Sequence, residues 1–200
     1  MHAGQKYTLK EFLFWTRRTI YWLLGINVGV TFLYEVIGLK WIGIPWVPIA
    51  LLGTAAAFIA GFRNNATYAR AWEARQIWGG IVNSSRSLGI MVRDFIRAPA
   101  SSEDTSKQIH QQLIYRHIAW LTALRFQLRE PRTWENMDKP YNIEYRQNYK
   151  VAEREGNLSD ELRRVLPSEE TDYVLSKKNR ATQLISLQSK QLRDLVDKGW

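Results

Sequence analysis

Residues 61–87 read GFRNNATYARAWEARQIWGGIVNSSRS. Immediately before them, Trp41 to Phe62 is a run of 22 residues without a charge. Arg63, Asn64, Asn65, Arg70, Glu73 and Arg75 then follow with no proline in between. Proline is disfavoured inside a helix but accepted in its first turn. A helix is therefore expected to start near Pro48, leaving Lys40 to Val47 as a short crossing. From Pro48 to Gly79 the chain holds no further proline, which predicts one continuous helix of 32 residues. A bilayer core about 30 Å thick takes only about 20, so this helix must project beyond the membrane, changing from an apolar to a charged surface as it leaves.

A second apolar run precedes it. Thr19 to Leu39 is 21 residues with a single charge, Glu35. It is too long for the apolar region of a signal peptide, and no targeting peptide is evident. Five of the nine tryptophans (Trp15, Trp22, Trp41, Trp46 and Trp72) lie at or near the ends of the two runs, as in an interfacial aromatic belt. Glu35 is five residues from Lys40, which fits an interfacial position better than a buried one. Mean hydropathy is slightly negative, so most of the chain lies outside lipid.

The net charge of +9 has an uneven source. Lys6, Lys10, Arg17 and Arg18 precede the first run; Arg63, Arg70, Arg75 and Arg86 follow the second; only Lys40 lies between them. The positive-inside tendency then predicts a hairpin with both ends cytoplasmic. The expected organisation is a cytoplasmic segment at 1–18, a transmembrane hairpin at 19–62 and a cytoplasmic helical region at 63–200. The cell membrane is the expected location. From Arg63 onward 23 basic residues face 17 acidic ones. That is a mixed solvated surface, and it argues against a nucleic-acid partner despite the high isoelectric point. Zero cysteines exclude disulfides and thiolate chemistry.

The remainder reads as soluble helices. Gly80 to Ile96 continues a helical pattern, and Ala98 to Lys107 reads as a polar linker. Leu113, Ile114, Ile118, Leu121, Leu124 and Leu128 follow helical periodicity over Gln108–Leu128. Arg129 to Tyr145 reads as an irregular connection broken by Pro131 and Pro140. Ser159 is expected to cap a short helix ending at Pro167, and Ser168 the next. In the last run, Leu184, Ile185, Leu192, Leu195 and Val196 are placed on one face. No strand-period stretch occurs, so the fold class is an all-α membrane protein with two N-terminal transmembrane helices, the second continuing into a cytoplasmic helical region.

Residues four apart share a helix face. Gly53, Ala57 and Gly61 form a stripe of small residues, and Thr54, Phe58 and Phe62 form the stripe beside it. Small-xxx-small spacing lets membrane helices approach closely. The phenylalanines then face either lipid or, if copies of the helix surround an axis, a narrow apolar constriction. The hydrated Arg63, Asn64 and Asn65 follow at once. Arg70 and Glu73 can pair on the helix surface, and Trp72 and Trp78 are expected to pack on neighbouring helices.

Gly61 to Asn65, Tyr68, Arg70, Glu73 to Arg75, and Trp78 with Gly79 together resemble the signature segment of the bestrophin family, in its prokaryotic and fungal-type branch. Thr16 to Ile20 is compatible with it. The resemblance implies a homo-oligomeric, pentameric ion channel conducting chloride or other anions, in contact with membrane lipids and monovalent ions. It places the neck at Thr54, Phe58 and Phe62 and its exit at Arg63, Asn64, Asn65, Arg70 and Glu73. Thr54 departs from the aliphatic or aromatic residue usual there. It implies no cofactor, no metal ligand and no catalytic residue. Members usually carry two further membrane helices, so the chain corresponds to the N-terminal two-thirds of one and is expected to be a fragment rather than a naturally short protein. Arg63 can serve as a positive ring at the neck exit or as an interfacial anchor.

Competing readings remain: a monovalent cation channel of the same architecture, and a non-conducting scaffold whose phenylalanines face lipid. An enzyme is disfavoured. His2, His110 and His117 are the only histidines and have no metal-binding or phosphate-loop context; Ser84-Ser85 has no nucleophile-elbow context.

Overall fold

The computed structural model describes residues 8–97, 103–133, 135–148 and 150–200, with the side chains of Glu11 and Asn148 excepted. His2 and Lys6, and residues 98–102 of the expected linker, lie outside the described residues. All described elements are helical. The chain divides into two compact units, residues 1–72 and 73–200.

In the first unit, α1 spans Leu9–Glu35 and α2 begins at Trp46. A 3₁₀ turn at Lys40–Ile42 stands between them. Helix α1 thus takes in ten residues ahead of the apolar run. Its polar interruption is absorbed locally: Asn27 Nδ2 donates to the Leu23 carbonyl at 2.7 Å. The helix closes after Glu35, where Gly38 adopts φ +80° and Leu39 N–H reaches back to the Leu33 carbonyl at 3.2 Å. That conformation is cheap only for glycine. Glu35 meets Lys40 at 3.4 Å, and the ammonium also sits 3.9 Å over the Tyr34 ring. The interfacial reading of Glu35 fits this exposed pair.

Helix α2 runs Trp46–Phe95, 50 residues without interruption. It starts two residues before Pro48, because a proline anywhere in the first turn removes an N–H that has no intrahelical acceptor. It also passes through Gly79 and Gly80, which follow the strong helix formers Ala71, Glu73, Ala74, Arg75 and Gln76. Thr54, Thr67 and Ser85 donate their hydroxyls to the carbonyls of Ala50, Arg63 and Ile81 at 2.9, 2.9 and 2.7 Å, so none leaves an orphan donor. Among the described helices α2 alone is both long and apolar enough to cross a membrane. No described residue of the first unit is buried. An apolar surface of that extent is stable only where lipid or other protein covers it.

The second unit has a conventional core. Around α3 (Glu103–Arg129) gather α5 (Ala152–Glu155), α6 (Leu158–Arg163) and α8 (Arg180–Asp197), with α7 (Ser168–Leu175) bridging α6 and α8. One cluster joins Ala119 and Ala123 of α3 to Leu162, Val174, Ala181 and Leu184. A second joins Val92 of α2, Leu113 and Leu195. The buried seam of α3 is thus partly alanine. Ile118 and Leu128, placed on its core face by periodicity, are exposed. Small residues sit where α3, α6 and α8 approach closely, and the larger residues flank them.

Other expectations are corrected. Helix α3 starts at Glu103, inside the expected linker, with Glu103 and Asp104 in its first turn, where acids favour the helix dipole. Pro140 does not break the chain but opens a helix, α4 (Pro140–Asn148); its missing N–H costs nothing at that position. Asn157, not Ser159, caps α6: its side-chain oxygen accepts from Ser159 N–H at 3.0 Å. Ser168 is the first residue of α7 and makes no cap bond; Pro167 takes that place. Asn179 caps α8 by accepting from Thr182 N–H at 3.2 Å. On α8 the buried line is Ala181, Leu184, Gln188 and Leu195, while Ile185 and Val196 point outward.

Candidate pore-lining stripe on helix α2

The two stripes predicted on α2 lie side by side on an unbroken helix. Thr54, Ala57, Phe58, Gly61, Phe62 and Asn65 line one open groove of about 450 Å³. Four residues advance a helix by about 6 Å, and the Phe58 and Phe62 rings stack at 6.5 Å between centroids, inclined by 27°. They are 64% and 70% exposed, so no other described element covers the pair. A Cβ added at Gly53 or Gly61 would meet nothing within 4 Å. No described residue uses the space these glycines leave.

Thr54 completes the stripe one turn earlier. Its hydroxyl hydrogen is committed to Ala50, so it presents a methyl group and an oxygen acceptor. Six residues beyond Phe62, Tyr68 and Trp72 form a second stacked pair, 6.5 Å apart and inclined by 11°. Trp72 and Trp78 are both exposed, contrary to the expectation that they pack on neighbouring helices. Arg63 and Arg70 have no ion-pair partner among the described residues, nor does Glu73, so the expected Arg70–Glu73 pair is not formed. Asn64 and Asn65 are exposed as well.

His110 and His117 do not converge on a site. His110 Nε2 donates to the Ile96 carbonyl at 2.7 Å. His117 Nε2 lies 2.9 Å from Ser85 Oγ. Because Ser85 spends its own hydrogen on Ile81, the imidazole N–H is the donor there. The ring tilts over Trp120 at 5.0 Å. Burial pushes the His117 pKa down, with the Gln188 side chain pulling the other way. Ser85 sits in mid-helix with its proton already engaged, so this bond ties α2 to α3 and activates nothing. Among the described residues no group of three or more His, Asp or Glu is gathered as a metal would require.

Sequence reading missed a polar node among α3, α7 and α8. Arg116 grips Glu170 in a bidentate pair at 2.6 and 2.7 Å and also bonds Gln191. Both charged side chains are only 15% exposed. Arg116 and Glu170 are 54 residues apart, and no local spacing announces such a pair.

A sequence family described as "Bacterial/Fungal Bestrophin protein" matches residues 16–200. Among curated relatives, the "Voltage-dependent anion channel-forming protein RSc3414" of Ralstonia nicotianae is 38% identical over 82 residues, covering 41% of this chain and 25% of that protein. The Escherichia coli K12 protein YneE, likewise named voltage-dependent anion channel-forming, is 35% identical over 107 residues, covering 52% of this chain and 32% of its own length. A bacterial bestrophin homologue from Klebsiella pneumoniae superposes with a TM-score of 0.59 at 25% identity, over 84% of this chain and 49% of that one. Another structure of that homologue gives 0.66 at 23%, over 92% and 57%. The matched segments thus span a quarter to a third of these curated relatives and about half of those structures. With nearly its whole length matched by the family pattern and its helices superposing on a bestrophin homologue, the chain belongs to the bacterial and fungal bestrophin family.

Proposed function

We propose that this chain forms part of an anion-conducting channel subunit, with Thr54, Phe58 and Phe62 of α2 lining a narrow apolar neck about a five-fold axis. The observation that carries the reading is the stripe itself. Two stacked phenylalanines stand on an exposed helix face beside the small residues Gly53, Ala57 and Gly61. The space at those glycines admits a neighbouring helix while the aromatic face turns to the axis. Stacked apolar rings then gate by wetting and dewetting. Beyond Phe62 the lining becomes Arg63, Asn64 and Asn65, where hydrated ions regain polar partners, and Arg70 and Glu73 continue the motif.

On this reading residues 19–62 form the membrane hairpin with both ends cytoplasmic, in the cell membrane, and 63–200 form the cytoplasmic helical region. Residues 1–18 precede the hairpin on the cytoplasmic side. The partners are further copies of the chain, as a pentamer, together with lipid and permeant monovalent ions. The relatives' names favour anions over cations, and a ring of Arg63 side chains at the neck exit would concentrate them.

The test is the reversal potential of the purified protein in a planar bilayer under a potassium chloride gradient, with Phe58→Ala measured beside wild type. Reversal near the chloride potential and an altered current in the variant are expected. Reversal near the potassium potential would retain the channel and overturn its selectivity. Absence of current from a well-folded oligomer would point to a scaffold.

A further inference from the structure

The second unit contains a cleft unrelated to the α2 stripe. It holds about 480 Å³ between the C-terminal end of α3, α4, α5 and the start of α8. Phe126, Met137 and Tyr145 supply its apolar walls, and Arg129 and Arg180 stand over it. Other arginines of this unit, Arg154 of the cleft lining among them, have carboxylate partners. Arg116 has Glu170, Arg125 has Glu153 at 2.8 Å, and Arg154 has Glu135 at 3.1 Å. Arg129 and Arg180 are half-buried, yet neither has an ion-pair partner among the described residues. The Arg180 Nε is buried with no hydrogen-bond acceptor among the described residues.

A desolvated guanidinium donor without an acceptor is costly, and two unpaired arginines at one cleft compound the cost. Guanidinium forks match the planar oxygens of a carboxylate or phosphate, and the resulting bonds are charge-assisted. The acids in the cleft do not supply those oxygens. Glu153 is committed to Arg125, and Glu155 lies 3.6 Å from Lys150. Glu130 also lines the cleft but is exposed and comes within ion-pair distance of neither arginine. We infer that this cleft binds a small organic anion, its carboxylate or phosphate held by Arg180 and Arg129 and its apolar body against Phe126, Met137 and Tyr145. The inference stands independently of conduction through α2.

The experiment is calorimetric titration of the detergent-solubilised full chain with benzoate and with phenyl phosphate. Inorganic phosphate serves as the anion without an apolar body, and benzyl alcohol as the apolar body without a charge. Saturable binding of at least one aromatic anion is expected, several-fold tighter than either control. Arg180→Gln should weaken it about tenfold or more, as loss of a charge-assisted bond implies. Arg129→Gln, at a site that contributes no core packing, should weaken it in the same direction, and Lys107→Gln outside the cleft should leave it unchanged. Failure of both aromatic anions to saturate at millimolar concentration would overturn the inference. So would binding unchanged in a folded Arg129→Gln, or binding of inorganic phosphate as tight as that of phenyl phosphate.

Discussion

Replacing Glu170 by Gln removes one charge from a nearly enclosed pair while leaving the shape of the side chain almost unaltered. Arg116 then keeps Gln191 and a neutral amide in place of two carboxylate oxygens at 2.6 and 2.7 Å. Removing one partner of a fully buried ion pair costs about 3–5 kcal/mol, most of it the penalty of the charge left behind. At 15% exposure on both sides, water recovers part of that, so about 2–4 kcal/mol is expected. For a chain of this size each kcal/mol lowers the melting midpoint by roughly 2–4 °C, giving a fall of about 4–16 °C. Thermal melts of the full chain followed by tryptophan fluorescence would measure it. The double variant Arg116→Met with Glu170→Leu is the control. It removes both charges together and should cost less than Glu170→Gln alone. A midpoint within about 2 °C of wild type for Glu170→Gln, or a double variant less stable than either single one, would refute the account of the node as a desolvated pair.

Leu184→Ala removes a side chain with no exposed surface from the cluster around Ala119 and Leu162; denaturant unfolding should show a loss of about 2–5 kcal/mol. Asn157→Ala and Asn179→Ala should each cost about 1 kcal/mol through their helix caps, whereas Ser159→Ala should change stability by less than about 0.5 kcal/mol, the reverse of what the sequence alone predicts. His117 has its folded-state pKa pushed down, chiefly by burial and against the opposing Gln188, so the unfolded chain takes up its proton first. The stability it contributes is present above the ordinary histidine value of about 6.5 and is lost as pH falls below that value through the lower, folded one. Melting midpoints measured from pH 8 to 5 should therefore fall more steeply for wild type than for His117→Asn, and parallel curves would show that the group does not report on folding.

Much of the first unit was legible in the sequence, because a helix with no tertiary partner obeys local rules. The absence of proline after Pro48, the apolar run to Phe62 and the four-residue spacing of Thr54, Phe58 and Phe62 are sufficient for the helix and its stripe. The family motif beginning at Gly61 requires no structure at all. Where α2 begins and ends was less legible, since Pro48 is tolerated anywhere in a first turn and Gly79-Gly80 is outweighed by its neighbours.

The second unit was decided by contacts distant in sequence. Periodicity favoured Ile118 and Leu128, but the close approach of α6 and α8 to α3 selected Ala119 and Ala123 for the seam. Ser159 looked like a cap, but the chain enters α6 two residues earlier and offers Asn157 instead. The pairing of Arg116 with Glu170, the bond from His117 to Ser85 and the unpaired arginines over the cleft follow from no spacing in the chain. Sequence by itself determined the helices, the apolar surface of α2 and the family, because each rests on residues within a few turns of one another. Only the tertiary structure decided which charges are neutralised and which are left facing a cavity, because that depends on which distant side chains share a low-dielectric space.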